Sequence, residues 1–539
     1  MTTHPFRPWR RRLVAGLAAM ALTVGIVGCS VPGTSDPAGG EPATTGAAAV
    51  STATGFSDNV ESHADADDAD YDQAEATTID LADGSTSVSG QDEDGVEVDG
   101  DHVLISAPGT YVVSGILTDG QLEIDSEADG KVRIVMADAS LTSTTGSPFV
   151  VTEADEVVLV LADGTVNDLT DGTGYDDDAD DAPNAALFSM ADLTIGGTGE
   201  LHVTGNTNDG IATKDGLAIL SGTVTVTAVD DGIRGKDYVD VTGGTVTVEA
   251  EDDAIKSDNE DDDTVGWVRI SDGTVTITAG DDGIHAEGDL EIAGGTVTVA
   301  ESVEGLEGVT VTVSGGVVDI TSSDDGLNAT AGSTTDESGD ESGRGAGPGG
   351  GGGGMANDGS VLTICGGELT VDAEGDGLDS NGNLIVTGGV TVINGPTSNG
   401  NGALDANGTI TVDGGTLVAS GSSGMAESPA AGEAGWLAVA FDSTLEAGTT
   451  VVVLDGDTVI GSFTSTKAAD SLVLSVDGIT EGQTYTIATI SDDRTAGWAD
   501  GGSADGTTTL TEVTAGEAIA GGMGGGPGGG GPGGDRQPR

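Results

Sequence analysis

The residues of this chain that could do chemistry are acids arriving at one fixed phase of a repeat. They are Asp209, the pairs Asp230-Asp231, Asp252-Asp253 and Asp281-Asp282, then Glu304, the pair Asp324-Asp325, and Asp376. Most sit in the phrase Asp-Asp-Gly-Ile or a close variant, two or three residues after an alternating Thr-Val run that follows a Gly-Gly pair. The first alternating strands begin after Gly222, Gly244, Gly273, Gly295, Gly316, Gly367, Gly389 and Gly415, at steps of 22, 29, 22, 21, 51, 22 and 26. The long steps contain visible insertions, the acidic excursion Asp258 to Thr264 and a glycine-rich stretch holding Gly349 to Gly354. An insertion that leaves the repeat in phase on both sides must leave as a loop.

A constant repeat of short alternating runs and turn residues is the signature of a solenoid. The expected fold is all-β: a right-handed single-stranded parallel β-helix with a coil of about 22 residues and a small C-terminal β cap. Strand side chains alternate between faces, which predicts an inward column of Val224, Val246, Val275, Val297, Val318 and Leu369. A second inward column is Ile211, Ile233, Ile255, Ile284, Leu306, Leu327, Leu378 and Leu404.

Equal phase then means stacking, with carboxylates about 4.8 Å apart along one edge. Bare carboxylates at that spacing repel, and a low-dielectric wall sharpens the conflict. A hard divalent cation taking six to eight oxygen ligands relieves it, and Ca2+ suits that chemistry. Asp209, Asp230, Asp231, Asp252, Asp253, Asp281, Asp282, Asp324 and Asp325 are therefore the expected metal ligands. The bland alternative is that Asp-Asp-Gly is a turn signal; Asp176 to Asp178 and Asp258 to Asp263 are further acidic runs of the kind solvent usually accommodates. Lys214, Arg234, Lys236 and Lys256 follow the Gly-Ile step in successive repeats and are expected to form a basic stripe beside the acids. That stripe would either compensate the acids internally or help hold an acidic sugar.

Composition sets the surroundings. Lys plus Arg number 16 against 92 Asp plus Glu, a formal charge of -76, which excludes nucleic acid as a partner and favours cations. Arg7, Arg10, Arg11 and Arg12 precede an apolar run from Leu13 to Val27 and then Gly28-Cys29, an export signal ending in a segment that looks like a bacterial lipobox. Acylation at Cys29 would anchor a monomer to the outside of the bacterial cell membrane, and the run is shorter than the ~20 residues a span needs. Cys365 would be the cysteine that remains, so no disulfide within the chain is expected, and its alternating run should turn it inward. The expected organisation is a signal peptide 1–28, a disordered tether 29–76, an N-terminal cap with irregular coils 77–190, and a regular β-helix 191–420 interrupted by a disordered glycine-rich loop 330–358. A β cap 421–515 and a glycine-rich tail 516–539 follow.

With these residues in view, the chain resembles the bacterial cell-surface calcium-binding parallel β-helix carbohydrate-binding proteins, whose fold is similar to that of pectate lyases. The resemblance spans roughly residues 77–512. It rests on Ile105-Ser106-Ala107-Pro108-Gly109-Thr110-Tyr111 with Leu117-Thr118-Asp119-Gly120, on Ala186-Leu187-Phe188-Ser189 before Leu193-Thr194-Ile195, on Asn208-Asp209-Gly210-Ile211, on Asp231-Gly232-Ile233-Arg234-Gly235-Lys236-Asp237, and on Ala254-Ile255-Lys256-Ser257. It implies binding of an extracellular polysaccharide, acidic and pectin-like or cellulosic. Two other functions compete. One is a calcium-assisted polysaccharide lyase with Lys236 or Lys256 as base. The other is a non-enzymatic adhesin or matrix protein, for which the outward Thr223/Thr225, Thr245/Thr247, Thr274/Thr276 and Thr296/Thr298 ladder is the prompt. No residue is singled out twice for catalysis, and Trp267, Trp436 and Trp498 do not read as a flat platform for cellulose.

Overall fold

The computed structural model describes residues 56–173, 182–331, 357–490 and 497–519. The expected signal peptide with Cys29, the acidic run Asp176 to Asp178, most of the glycine-rich loop and most of the tail lie outside them. Among the described residues there are strands and two three-residue 3-10 turns, and no α-helix.

The regular repeat makes three parallel ladders. Thr223–Ala228, Thr245–Ala250, Thr274–Thr278, Thr296–Glu301, Val317–Ser322 and Glu368–Ala373 pair successively in the first. Asp209–Thr213, Ile233–Gly235, Ile255–Ser257 and the start of Ile284–Ile292 make the second. Gly216–Ile219, Tyr238–Val241 and Trp267–Ile270 make the third. The register puts Val224, Val246, Val275, Val297, Val318 and Leu369 opposite one another, and likewise the Ile and Leu column from Ile211 to Leu404. Both expected columns are present, and every member is at most 1% exposed. Each such side chain contributes about 1.5–3 kcal/mol of burial, so small aliphatics repeated many times supply the core that the low aromatic content withholds.

The Gly-Gly pair keeps the repeats close. Gly244 has φ +86, and a Cβ there would stand 2.8 Å from the Gly222 carbonyl oxygen, the same oxygen that accepts from Thr245 N–H at 2.8 Å. A side chain would push that rung apart.

The same parallel pairing runs back into the early chain, where Thr77–Ala82 lies on Gly109–Leu117 and that strand on Lys131–Thr142. Two antiparallel hairpins, Thr77–Ala82 with Ser87–Ser89 and Val96–Asp99 with His102–Ile105, make this end irregular. At the other end Thr416–Gly421 is met by the antiparallel strand Ala469–Ser475, itself paired with Trp436–Leu445. That covers an edge otherwise open to another chain. A separate five-stranded antiparallel sheet follows, built from Thr450–Asp455, Thr458–Thr464, Thr484–Ile490, Gly497–Asp500 and Thr507–Thr514.

Three expectations need correction. Residues 56–70, assigned by composition to a tether, are packed on the strands through Phe56, His63 and Asp68. Cys365 is half-buried at the turn after Val361–Ile364 rather than inward, because the strand alternation ends one residue before it. It is also disulfide-bonded rather than unpaired, to a partner outside the described residues.

Candidate functional site

The acids stack because the backbone around them does. Gly210 N–H donates to the Asp231 carbonyl (2.9 Å), Gly232 to Asp253 (2.8 Å), Ala254 to Asp282 (3.0 Å), Gly283 to Glu304 (2.9 Å), Gly305 to Asp325 (3.0 Å) and Gly326 to Asp376 (2.8 Å). Asp209, Asp231, Asp253 and Asp282 are buried, Asp230, Asp252 and Asp325 half-buried, and Asp281 and Asp324 exposed. Each Asp-Asp pair thus offers one carboxylate inside the edge and one nearer solvent.

Beside this column runs a second row, made by the residue that follows the inward Ile or Leu. In register it reads Ala212, Arg234, Lys256, His285, Glu307, Asn328, Asp379 and Asp405. The Arg234 guanidinium bonds Asp258 and lies 3.8 Å from Asp209 and 3.9 Å from Asp231. Lys256 Nζ is 2.8 Å from Asp253, 3.5 Å from Asp231 and 4.0 Å from Asp252. His285 Nδ1 is 3.1 Å from Asp282 and 3.6 Å from Glu307. After His285 the row carries no cation and becomes acidic itself.

Electrostatics follow this division. Burial raises Asp209, and the Asp231 carboxylate raises it further. Burial also raises Asp231 to about 7, Asp282 to about 8 and Glu304 to about 9, although Lys256 pulls Asp231 down and His285 pulls Asp282 down. Glu307 feels the same burial, but hydrogen bonds with His285 and Asp282 outweigh it and hold it at about 2. Below the last cation, burial and neighbouring carboxylates raise Asp325 to about 6, Asp376 to about 7 and Asp379 to about 8.

Three all-carboxylate groups bring ligand atoms within 4.8 Å of one another on the upper ladder: Asp230-Asp231-Asp252, Asp252-Asp253-Asp281 and Asp282-Glu304-Glu307. Asp253-Asp282-His285 is a fourth group. Asp209, fully buried, has one carboxylate oxygen without a hydrogen-bond partner. The clustered carboxylates are a donor set that suits a hard dication.

The expected basic stripe is only half formed. Arg234 and Lys256 sit in the row, but the register partner of Arg234 is Ala212, not Lys214. Lys214 and Lys236 come two residues later, where the short strands have ended, and Lys214 Nζ stands 6.0 Å over the Phe188 ring instead. Alternation and strand length decide this, and proximity in sequence does not. His285, Glu307, Asp379 and Asp405 escape the sequence reading for the matching reason; the signal available is the position after each inward Ile or Leu.

The third ladder holds a second feature. Tyr238 and Trp267 are register partners whose rings stack with centroids 4.4 Å apart and 4° between planes. Residues 56–70 cross over them. Phe56 packs edge-on to Trp267 at 5.2 Å, and Val60 N–H donates to the Thr264 carbonyl at 2.9 Å. His63 N–H donates to Tyr238 Oη at 2.8 Å, and its ring bonds Tyr238 Oη and Thr194 Oγ1 at 2.6 and 2.9 Å. Asp68 takes Lys131 on its carboxylate and Arg133 Nε on its carbonyl. Trp267 is left 1% exposed, so it forms no open stacking surface.

A carbohydrate-binding domain-containing protein of Acetivibrio thermocellus is 38% identical over 143 residues, 26% of this chain and 50% of that protein, so the chain spans half the length of the relative it matches. Among solved structures, a polysaccharide lyase-like protein from C. thermocellum, in its gadolinium derivative, aligns at 32% identity over 45% of this chain and 94% of that one, with a TM-score of 0.40. Residues 99–342, which hold the acid column from Asp209 to Asp325, match the family model of carbohydrate-binding domain-containing proteins.

Proposed function

We propose that this chain is a calcium-dependent polysaccharide-binding protein of the bacterial cell surface, folded as a right-handed parallel β-helix and selective for acidic, pectin-like glycans over cellulose. The observation that carries the reading is the acid column running from Asp209 to Asp376, whose cation row stops at His285. Asp230, Asp231, Asp252, Asp253 and Asp281, and Asp324 and Asp325 with Asp376, would hold calcium, which would supply a Lewis-acidic contact for a uronate carboxylate on the side where Asp281 and Asp324 are exposed. The match of residues 99–342 to carbohydrate-binding domains supports a glycan partner, and the buried Tyr238-Trp267 pair argues against a cellulose platform.

The lyase alternative requires an unprotonated base. Lys256 faces Asp231, Asp252 and Asp253, and although burial works against its charge these carboxylates hold its pKa well above the ordinary lysine range. A lysine so held is a fixed cation, which counts against Lys256 as the base. The lipid anchor would use the Cys29 sulfur for its thioether, so it requires Cys29 not to be the disulfide partner of Cys365. The mass of the exported chain before and after reduction separates the two.

Retention of the full chain on immobilised polygalacturonate and on cellulose, with calcium and with chelator, tests the glycan assignment. Calcium-dependent retention on polygalacturonate without unsaturated product supports it. Release of unsaturated uronate would establish the lyase instead, and equal retention with chelator would remove calcium from the account.

A further inference from the structure

Residues 56–70 lie along the third ladder as a strap, and what they cover differs in kind from what holds them. Asn59 Nδ2 donates to Asp289 Oδ2 at 3.0 Å, and the Phe56 ring meets Trp267 edge-on with the Arg269 guanidinium 5.4 Å from its centre. His63 bonds Tyr238 and Thr194, and Asp68 bonds Lys131 and Arg133. The strap thus crosses the coils one after another, from the rung of Asp289 to that of Lys131. Of its residues Asp68 alone is buried, and residues 71–75, which join it to the first strand, are all exposed. A segment held by separate polar contacts, with almost no apolar burial of its own, belongs to the low end of local stability. The coils beneath it are held by continuous ladders and buried columns.

The covered surface has the opposite character. Tyr238 and Trp267 are 4% and 1% exposed, and the indole N–H of Trp267 finds no hydrogen-bond acceptor. An unpaired buried donor is a standing cost of the closed strap, and Phe56, the side chain laid against that ring, has no acceptor to offer. Beside the indole, Arg269 donates to Asp240 twice, at 3.0 and 2.9 Å, with its guanidinium 5.6 Å from the Trp267 ring centre. An aromatic pair, an indole donor and a planar donor–acceptor pair together suit a sugar ring, whose C–H face packs on the aromatic and whose hydroxyls take the polar groups. Asp192, Asp215 and Asp237 each directly precede a strand of this ladder, and Arg269 is already paired, so the surface favours a neutral ring over a uronate.

We propose that residues 56–70 are a lid that opens as a unit on the folded coils, and that the surface it uncovers, Tyr238, Trp267, Arg269 and Asp240, binds one pyranose ring of a neutral glycan without metal. With the lid shut, Phe56 stands in for the sugar and leaves the indole N–H unpaired; a glycan hydroxyl would accept from it. Only the open fraction is competent to bind, so the lid lowers the apparent affinity by that fraction. The inference rests on the glycan-binding reading above but not on its calcium or its acidic ligand.

Native-state hydrogen exchange on the full chain with calcium reads the lid. The amides of Val60 and His63 should exchange together, and faster than those of Ile233 and Ile255, which bond coil to coil. Calorimetry with mannohexaose, xylohexaose and cellohexaose, against trigalacturonate, reads the site with calcium and with chelator. Phe56→Ala with His63→Ala weakens the lid and should tighten neutral oligosaccharide binding roughly tenfold, equally in both buffers. Adding Trp267→Phe, which keeps a ring on Tyr238 but removes the N–H, should cancel that gain. Strap amides exchanging no faster than coil amides would overturn the lid. No neutral binding by the lid-weakened chain, or equal binding of trigalacturonate in chelator, would overturn the site. Loss of calcium-dependent retention on polygalacturonate, with neutral binding intact, would overturn only the acidic-glycan reading.

Discussion

Below His285 the carboxylates face one another without a fixed positive charge on their row, and this makes the metal-free chain sensitive to pH in a defined direction. Asp325, Asp376 and Asp379 are raised to about 6, 7 and 8, in each case first by burial and also by their neighbours, with backbone hydrogen bonds pulling the other way. A carboxylate whose folded pKa lies above its unfolded value binds more protons in the folded state. Its contribution is therefore fully present below the unfolded pKa and is lost as pH rises through the folded one. For these three groups the window runs from about pH 4 to about pH 8. A tenfold difference in proton affinity between the folded and unfolded chain is worth about 1.4 kcal/mol. Partial exposure and mutual coupling reduce the contribution to an effective ~1–2 kcal/mol per group, and the three together move the melting temperature by roughly 3–7 °C in a chain of this size. Thermal unfolding in chelator should show the melting temperature falling by that order between about pH 5 and about pH 8, while calcium, which binds the ionised form, should flatten or reverse the slope. Asp376→Asn with Asp379→Asn should weaken both the slope and the calcium response. A chelated chain that gains stability over this window, or sodium chloride of matched ionic strength acting as well as calcium, would refute the reasoning.

Other perturbations test other parts of the architecture. Arg234→Met leaves the buried carboxylate of Asp209 and those of Asp231 and Asp258 without their guanidinium and should cost about 3–5 kcal/mol in denaturant unfolding at neutral pH, with part of the loss recovered by calcium. Ile255→Ala opens a void in the continuous inner column and should cost about 2–5 kcal/mol by the same measurement. Gly216→Ala drives a Cβ into the Tyr238 ring and should destabilise by about 1–3 kcal/mol, with a change in tryptophan fluorescence marking displacement of the Tyr238-Trp267 stack. Replacing Phe56, His63 and Asp68 by alanine should uncover Trp267; a red-shifted emission and faster iodide quenching are expected, and unchanged quenching would mean that residues 56–70 do not shield it.

What the sequence disclosed and what it hid divide along one physical line. The inner columns were legible because Val224 to Leu369 and Ile211 to Leu404 repeat one kind of residue at one phase, and burial tolerates no other kind there. The acid column was legible for the same reason. The row from Ala212 to Asp405 was not, because its members share a position but no chemistry, and only the register reveals that Arg234, Lys256, His285 and Glu307 are neighbours. Counting residues after the Gly-Ile step misplaces Lys214 and Lys236, because it ignores where the strand ends. The packed segment 56–70 was hidden by its composition, since a polar stretch is held down by Phe56, His63 and Asp68, each touching a different level of the ladders.

In a repeat protein, uniformity specifies the fold and departure from uniformity specifies the sites. An inward position must be filled alike in every repeat, so its column constrains register and little else. An outward position is free to vary, and the order in which it varies, here from guanidinium and ammonium through imidazole to carboxylate, sets where charge is compensated internally and where it is left to protons or to an external cation. His285 therefore marks the change along the row: before it Arg234 and Lys256 partly offset the acids that the proposed calcium would share, and after it nothing on the row does.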